Sequence, residues 1–396
     1  MKNSIDINKA REDTIGTKNV IHFNNAGASL MPMPVSKVLH EYLESEEKFG
    51  GYETANKYAD SLNNFYISAA KLLNCSRDEI AFLENATRAW DMAFYAFKFK
   101  PGDKILISMA EYGSSVIAYL QQSKKLGIEL VYIPNDALGQ IDTGLLTKAI
   151  DDKVKLISIA HIPTGGGLVN PVEKVGQIAK NAGIPFLLDS CQAVGQLHID
   201  VEAIGCDMLC ATGRKYLRGP RGTGFLYVRK NLIEKLEPPF LDQHAAELVT
   251  PNKYIIRKDA KRFENWEQNC AGKAALAKAI DYALSLGLSE IQNRTFTLAK
   301  TLRSKLSNID GITVTDEGAK KCGIVTFMHE NIDAYTIQSE LVSHKINVSI
   351  SDGSGSLISF NDRNLTALVR ASVHYYNTDD EIDFFIKILQ SMFKHN

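Results

Sequence analysis

Between residues 104 and 228 the chain alternates short, uninterrupted apolar runs with stretches of helical periodicity, and no other feature narrows the fold as much. Residues 104–110 (KILISMA) read as a strand, 114–126 as a helix and 128–134 as a strand. A helix near 143–150 leads to the strand 155–162 (KLISIAHI), and the helical pattern 172–181 leads to the strand 185–189 (PFLLD). Residues 208–211 and 224–228 are two further apolar runs. A strand that is apolar along its whole length is covered on both faces, and helices between such strands supply the cover. The predicted class is α/β with a mostly parallel sheet.

After about Pro251 the pattern changes. A long helix is predicted over 265–286, its many alanines permitting close packing, and a second over 289–306, where Ser289 and Gln292 have the spacing of a capping box. Short strands at 312–314, 324–328, 346–350 and 368–373, with helices near 334–343 and 379–393, describe a smaller α+β unit. With 396 residues the chain has the length of two or three domains and can bury a sizeable core. Residues 18–258 are expected to form the large one and 259–396 the small one, with 1–17 packing against it.

Forty-five basic against forty-six acidic side chains leave a net charge of −1, so neither nucleic acid nor a membrane surface is an expected partner. No uncharged apolar run approaches the roughly 18 residues of a spanning helix. The first residues lack the apolar run of a signal peptide. Six cysteines without a C-x-x-C pair read as free thiols in a reducing compartment, not as a metal site, and a cytoplasmic location is expected.

Open α/β sheets bind ligands at the carboxyl ends of their strands. One predicted strand ends at His161, ahead of Pro163-Thr164-Gly165-Gly166-Gly167; another ends at Asp189, ahead of Ser190-Cys191-Gln192. A third leads into Thr212-Gly213-Arg214-Lys215, and Tyr112 stands in the turn after the first. The glycine fingerprints of dinucleotide and P-loop sites are missing, which disfavours a nicotinamide dehydrogenase. No G-x-S-x-G elbow occurs, and Asp352-Gly353-Ser354-Gly355-Ser356 reads as a mobile lid or a turn. Lys215 sits in a cationic, glycine-rich bend, where neighbouring charge and desolvation make an amine nucleophilic toward an aldehyde. An aspartate one strand away could hold a proton on the ring nitrogen of a pyridine cofactor and so strengthen it as an electron sink.

With these residues the chain resembles the class V aminotransferase and cysteine desulfurase group of fold-type I pyridoxal-phosphate enzymes, from Phe23-Asn24-Asn25-Ala26-Gly27 to Arg370-Ala371-Ser372. The most specific stretches are residues 187–195 (LLDSCQAVG) and 211–224 (ATGRKYLRGPRGTG). The resemblance implies pyridoxal 5′-phosphate as cofactor. Lys215 would form the internal aldimine and shuttle the Cα proton, Asp189 would pair with the pyridinium nitrogen, and Gln192 would meet the phenolate oxygen. Asn85-Ala86-Thr87-Arg88-Ala89 matches the phosphate turn at a helix start, which puts Ala86, Thr87 and Arg88 at the phosphate with Thr212 and Arg214. Tyr112 would stack on the ring, His161 and Thr164 would stand beside the cofactor, and Arg370, with Asn25, would receive the substrate carboxylate. A homodimer acting on an amino acid is implied as well.

The departures are informative. The stretch 349–356, where desulfurases carry a nucleophilic cysteine, contains none. Thr164 replaces a usual asparagine, and 262–267 shows no clear match to the cross-dimer phosphate threonine. Trp266 in that stretch is read as packing in preference to a subunit anchor. Aminotransferase is accordingly the first expectation, with a C–S (β-elimination) lyase or an epimerase as alternatives. An idle cofactor-binding regulatory protein is the non-enzyme alternative, disfavoured by the retained Lys215, Asp189 and Arg370.

Overall fold

The structure, a computed structural model, describes residues 5–394; the first four residues of the N-terminal stretch read above lie outside it. Seven strands, Ile80–Leu83 (β1), Lys104–Ser108 (β2), Glu129–Ile133 (β3), Val154–Ala160 (β4), Phe186–Asp189 (β5), Met208–Thr212 (β6) and Gly224–Val228 (β7), form one sheet in the order β1-β7-β6-β5-β4-β2-β3. Pairing is parallel from β6 through to β3, whereas β7 is antiparallel to both β6 and β1 and alone runs against the rest. The continuous apolar character of these strands follows from two cores. Phe186, Leu188, Leu209 and Ala211 face one, and the alternate residues Leu187, Met208 and Cys210 face the other.

A second sheet is antiparallel, with Ile312–Val314 (β8), Ile324–His329 (β9), Ser349–Ser351 (β10) and Leu368–Ser372 (β11) in the order β8-β9-β11-β10. It encloses a third core of Phe327, Val369 and Ala371 with Leu302 and Phe385 from flanking helices. The α/β class and the fold-type I architecture are those expected from the sequence.

Three local expectations are corrected. The helix predicted from 265 runs Cys270–Leu286, because Asn269 caps it, its Oδ1 accepting from Gly272 N at 2.8 Å, while the preceding residues surround buried Glu264. The predicted capping box is not formed. Helix Leu288–Leu306 starts behind Gly287, held at φ +86°, and Gln292 Oε1 accepts from His198 N instead. The strand expected at 346–350 is two strands: Ile346–Asn347 pairs with Ile21–His22, and β10 pairs with β11. The alanine face of Cys270–Leu286 lets Met33–Phe49 approach closely, with Val35 against Ala275 and Ala279 and Tyr42 against Ala271 and Ala274. At the N-terminus, Arg11 donates to Tyr376 O and to Glu381, joining the two ends of the chain.

Candidate active site

The carboxyl ends of β4, β5 and β6 open on a cavity of about 500 Å³. Register fixes its floor: Asp189, the last residue of β5, lies opposite Ala160 on β4 and Cys210 on β6. Asp189 Oδ1 accepts from Cys191 N at 2.9 Å and from the Cys210 thiol at 3.7 Å. Its Oδ2 has no hydrogen bond among the described residues. Past β6 the chain turns and carries Arg214 and Lys215 into the same cavity. The Lys215 side-chain amine makes no hydrogen bond or ion pair among the described residues. Burial holds its ammonium below the ordinary lysine range, and the Arg214 and Arg370 charges act in the same direction.

The helix Ala86–Phe94 supplies the opposite wall. Asn85 caps it by accepting from Arg88 N at 2.8 Å, while the N–H groups of Ala86 and Thr87 have no partner within the helix. Gly224, at the start of β7, crosses this helix start closely. A Cβ there would stand 2.7 Å from the Asn85 carbonyl carbon and 2.9 Å from Ala86 N. Thr212, Arg214 and Arg221 also line the cavity, which makes it cationic.

Arg370, on β11, is 9% exposed and, among the described residues, pairs with no carboxylate. Its Nη1 donates to both oxygens of Thr164, O at 2.9 Å and Oγ1 at 2.8 Å, and its Nε donates to Ser349 Oγ. Thr164 and Gln192 both line the cavity. Gln192 Nε2 donates to Thr164 Oγ1 and to Ala26 O, and its buried Oε1 has no partner among the described residues. Residues 352–356 are docked over this region. Gly113 N donates to Gly355 O at 3.0 Å, and a Cβ on Gly355 would meet the Thr164 methyl at 2.9 Å.

A family model described as aminotransferase class-V matches residues 21–385. The chain belongs to that family. Among its relatives, a probable cysteine desulfurase of Pyrococcus abyssi is 29% identical, covering 97% of each chain. One of Methanothermobacter thermautotrophicus is 27% identical over 96% of this chain and 97% of its own. The solved apo structure of a cysteine desulfurase from Thermococcus onnurineus superposes with a TM-score of 0.93 at 26% identity, covering both chains completely.

The cofactor of the class-V family is pyridoxal 5′-phosphate, and the residues present fit it. The open helix start under Gly224 and the surrounding cations suit a phosphate, and the free Asp189 oxygen suits a protonated ring nitrogen. The unpaired Gln192 Oε1 is an orphaned polar atom beside them. Of the site residues expected from the sequence, the cavity brings together Lys215, Asp189, Gln192, Ala86, Thr87, Tyr112, Thr212, Arg214 and Thr164. Arg370 joins them through Thr164.

Three others are placed elsewhere. Arg88 turns to Glu84, at 3.6 Å, and stacks on Phe240. His161 is enclosed beside Ser190, and burial lowers its pKa to about 3, which keeps the ring neutral. Asn25 is fully buried; its amide spans Ser372 O and His22 O and accepts from Tyr376 Oη, so it is a brace between the chain ends. Trp266, expected to pack, is 60% exposed.

Two features of the site were not read from the sequence. Asp189, Cys191 and Cys210 place their ligand atoms within 4.8 Å of one another. Burial raises the Cys210 thiol well above the usual range, so it serves Asp189 as a protonated donor. Glu111, just before Tyr112, is buried, accepts from Ser108 Oγ and Ala160 N, and has its pKa raised to about 8 by burial. No sequence signal marks either, because both depend on which strands are neighbours.

Proposed function

We propose that this enzyme removes the Cα proton of a sulfur-bearing amino acid and expels the sulfur group from its β-carbon, with Lys215 as the base. The observation that carries this reading is one cavity that holds the buried Lys215 amine near a free Asp189 oxygen, with the buried Arg370 guanidinium behind Thr164 and, among the described residues, in no ion pair. A buried charge without a partner is costly, so a ligand carboxylate gains at Arg370, whose planar fork suits it. The lowered ammonium pKa keeps more of Lys215 as free amine, ready to take a proton. Pyridoxal phosphate, when bound, supplies the sink for the electrons left on Cα. Ala86, Thr87, Thr212 and Arg214 would hold its phosphate, Asp189 its ring nitrogen and Tyr112 a ring face.

Sulfur chemistry is favoured by the relatives described as cysteine desulfurases. A persulfide carried on residues 349–356 is not part of the proposal, since that stretch holds no cysteine. Elimination breaks Cα–H and Cβ–S, and the sulfur leaves as a thiol or sulfide. Transamination, the first expectation from sequence, is the second reading; the missing acceptor thiol favours it, because transfer of an amino group needs none.

The deciding experiment incubates the holoenzyme with cysteine, cystine and other amino acids, followed by product mass spectrometry. Pyruvate, ammonia and a free thiol or sulfide are expected. A keto acid with aminated cofactor would give the transaminase reading, and racemised substrate the epimerase. Alanine with a persulfide on Cys191, a thiol that lines the cavity, would give a desulfurase. A cofactor spectrum that no amino acid perturbs would leave the idle regulatory protein.

A homodimer and a cytoplasmic location belong to the same proposal. Trp266, with Leu248, Tyr254 and Ile255 on the hairpin Ala246–Thr250 and Lys253–Ile256, leaves large apolar side chains on the surface. All six cysteines are free, which suits a reducing compartment.

A further inference from the structure

The turn that carries Lys215 is held from both ends of the chain. Three successive carbonyls are engaged: Arg214 O accepts from Ser29 N at 2.9 Å, Lys215 O from Arg218 N at 3.0 Å, and Tyr216 O from His374 Nε2 at 2.9 Å. His374 Nδ1 accepts from Tyr375 N, so the hydrogen is on Nε2. Arg218 closes the arrangement. It is 1% exposed, has φ +61° without being glycine, and pairs with no carboxylate among the described residues. Its guanidinium donates to Leu30 O, Thr14 Oγ1 and Tyr375 Oη, and lies 4.4 Å from the Tyr376 ring centroid. A buried guanidinium and a left-handed backbone at a bulky residue are both unfavourable, and they persist only where the surroundings over-determine them.

We propose that Arg218 is a positioning residue for Lys215, drawing the N-terminal segment and the segment just beyond β11 against the lysine's turn. Because β11 also carries Arg370, the same staple keeps the carboxylate clamp and the proton-transferring amine in one frame. A base displaced by a fraction of an ångström loses much of its advantage, so the expected loss is in the chemical step and not in binding. The inference rests on the reading of Lys215 as base.

The test compares Arg218→Met, Tyr375→Phe and Thr14→Val with the unaltered holoenzyme. Three quantities are read: kcat against KM, the pH at which the absorption of the lysine-bound cofactor changes, and the acylation rate of Lys215 in cofactor-free protein. Arg218→Met is expected to lower kcat about 10- to 100-fold with KM within about twofold, and to shift both pH and acylation rate. Tyr375→Phe and Thr14→Val should act in the same direction by about two- to fivefold. They decide the matter if Arg218→Met does not fold. Variants that lose thermal stability alone, with kcat, spectral pH and acylation unchanged, would reduce Arg218 to a core anchor. Borohydride tagging separates the two failures. An unaltered enzyme not tagged at Lys215 overturns the catalytic reading, whereas a tagged enzyme with indifferent variants overturns only this inference.

Discussion

At Lys215 and Asp189 single atoms decide the chemistry: an amine without a partner among the described residues, and a carboxylate oxygen left free by two donors on its twin. Lys215→Ala is expected to abolish the borohydride-stable cofactor adduct and turnover together, read by absorption and peptide mass. Asp189→Ala should retain cofactor more loosely and slow proton abstraction on the order of 100-fold, seen as delayed exchange of the Cα hydrogen. Glu111 makes a prediction about pH. Its folded pKa of about 8 lies above its unfolded value, so the folded state binds the extra proton. Its contribution to stability is full below the unfolded pKa and is lost as pH rises through about 8, with a slope of up to about 1.4 kcal/mol per pH unit. Glu111→Gln keeps an oxygen to accept from Ser108 and Ala160 and should flatten that decline in thermal melts between pH 5 and 8. Lys215 and Asp189 were legible because each follows an apolar run at a strand end. Glu111 was not, since its burial comes from the neighbouring β4, which lies far from it in sequence.

Among the elements, the strands of the parallel sheet could be read nearly to their ends because both faces are covered and the apolar runs are unbroken. The caps were harder. Ser289 has the right spacing for a box, yet Gly287 already ends the preceding helix in a left-handed conformation, and Gln292 is spent on His198. The direction of β7 was not legible either, since an apolar run carries no sign of which way it runs. That strand gives the element-scale prediction. Gly224→Ala would press a methyl group on the Asn85 carbonyl carbon, Ala86 N and Ala211 O, all of them backbone. A loss of about 1–3 kcal/mol in denaturant unfolding is expected, together with weaker cofactor retention, because the helix start that would hold the phosphate must move.

For the molecule as a whole, the exposed Trp266, Leu248 and Ile255 are expected to be covered by a second copy, giving twice the chain mass in light scattering. A monomeric mass that persists at high protein concentration would rule this out. The N-terminal partners of the Lys215 turn could not be foreseen, because Thr14, Ser29 and Leu30 bear no motif, and His374 and Tyr375 lie beyond the last motif read. Their arrangement bears on how the enzyme is made. On the ribosome the lysine emerges 160 residues ahead of Tyr375, which completes its frame. A nascent chain therefore carries its reactive amine for some time before the frame that aims it exists, and a product stopped short of Tyr375 would keep the lysine without the geometry to use it.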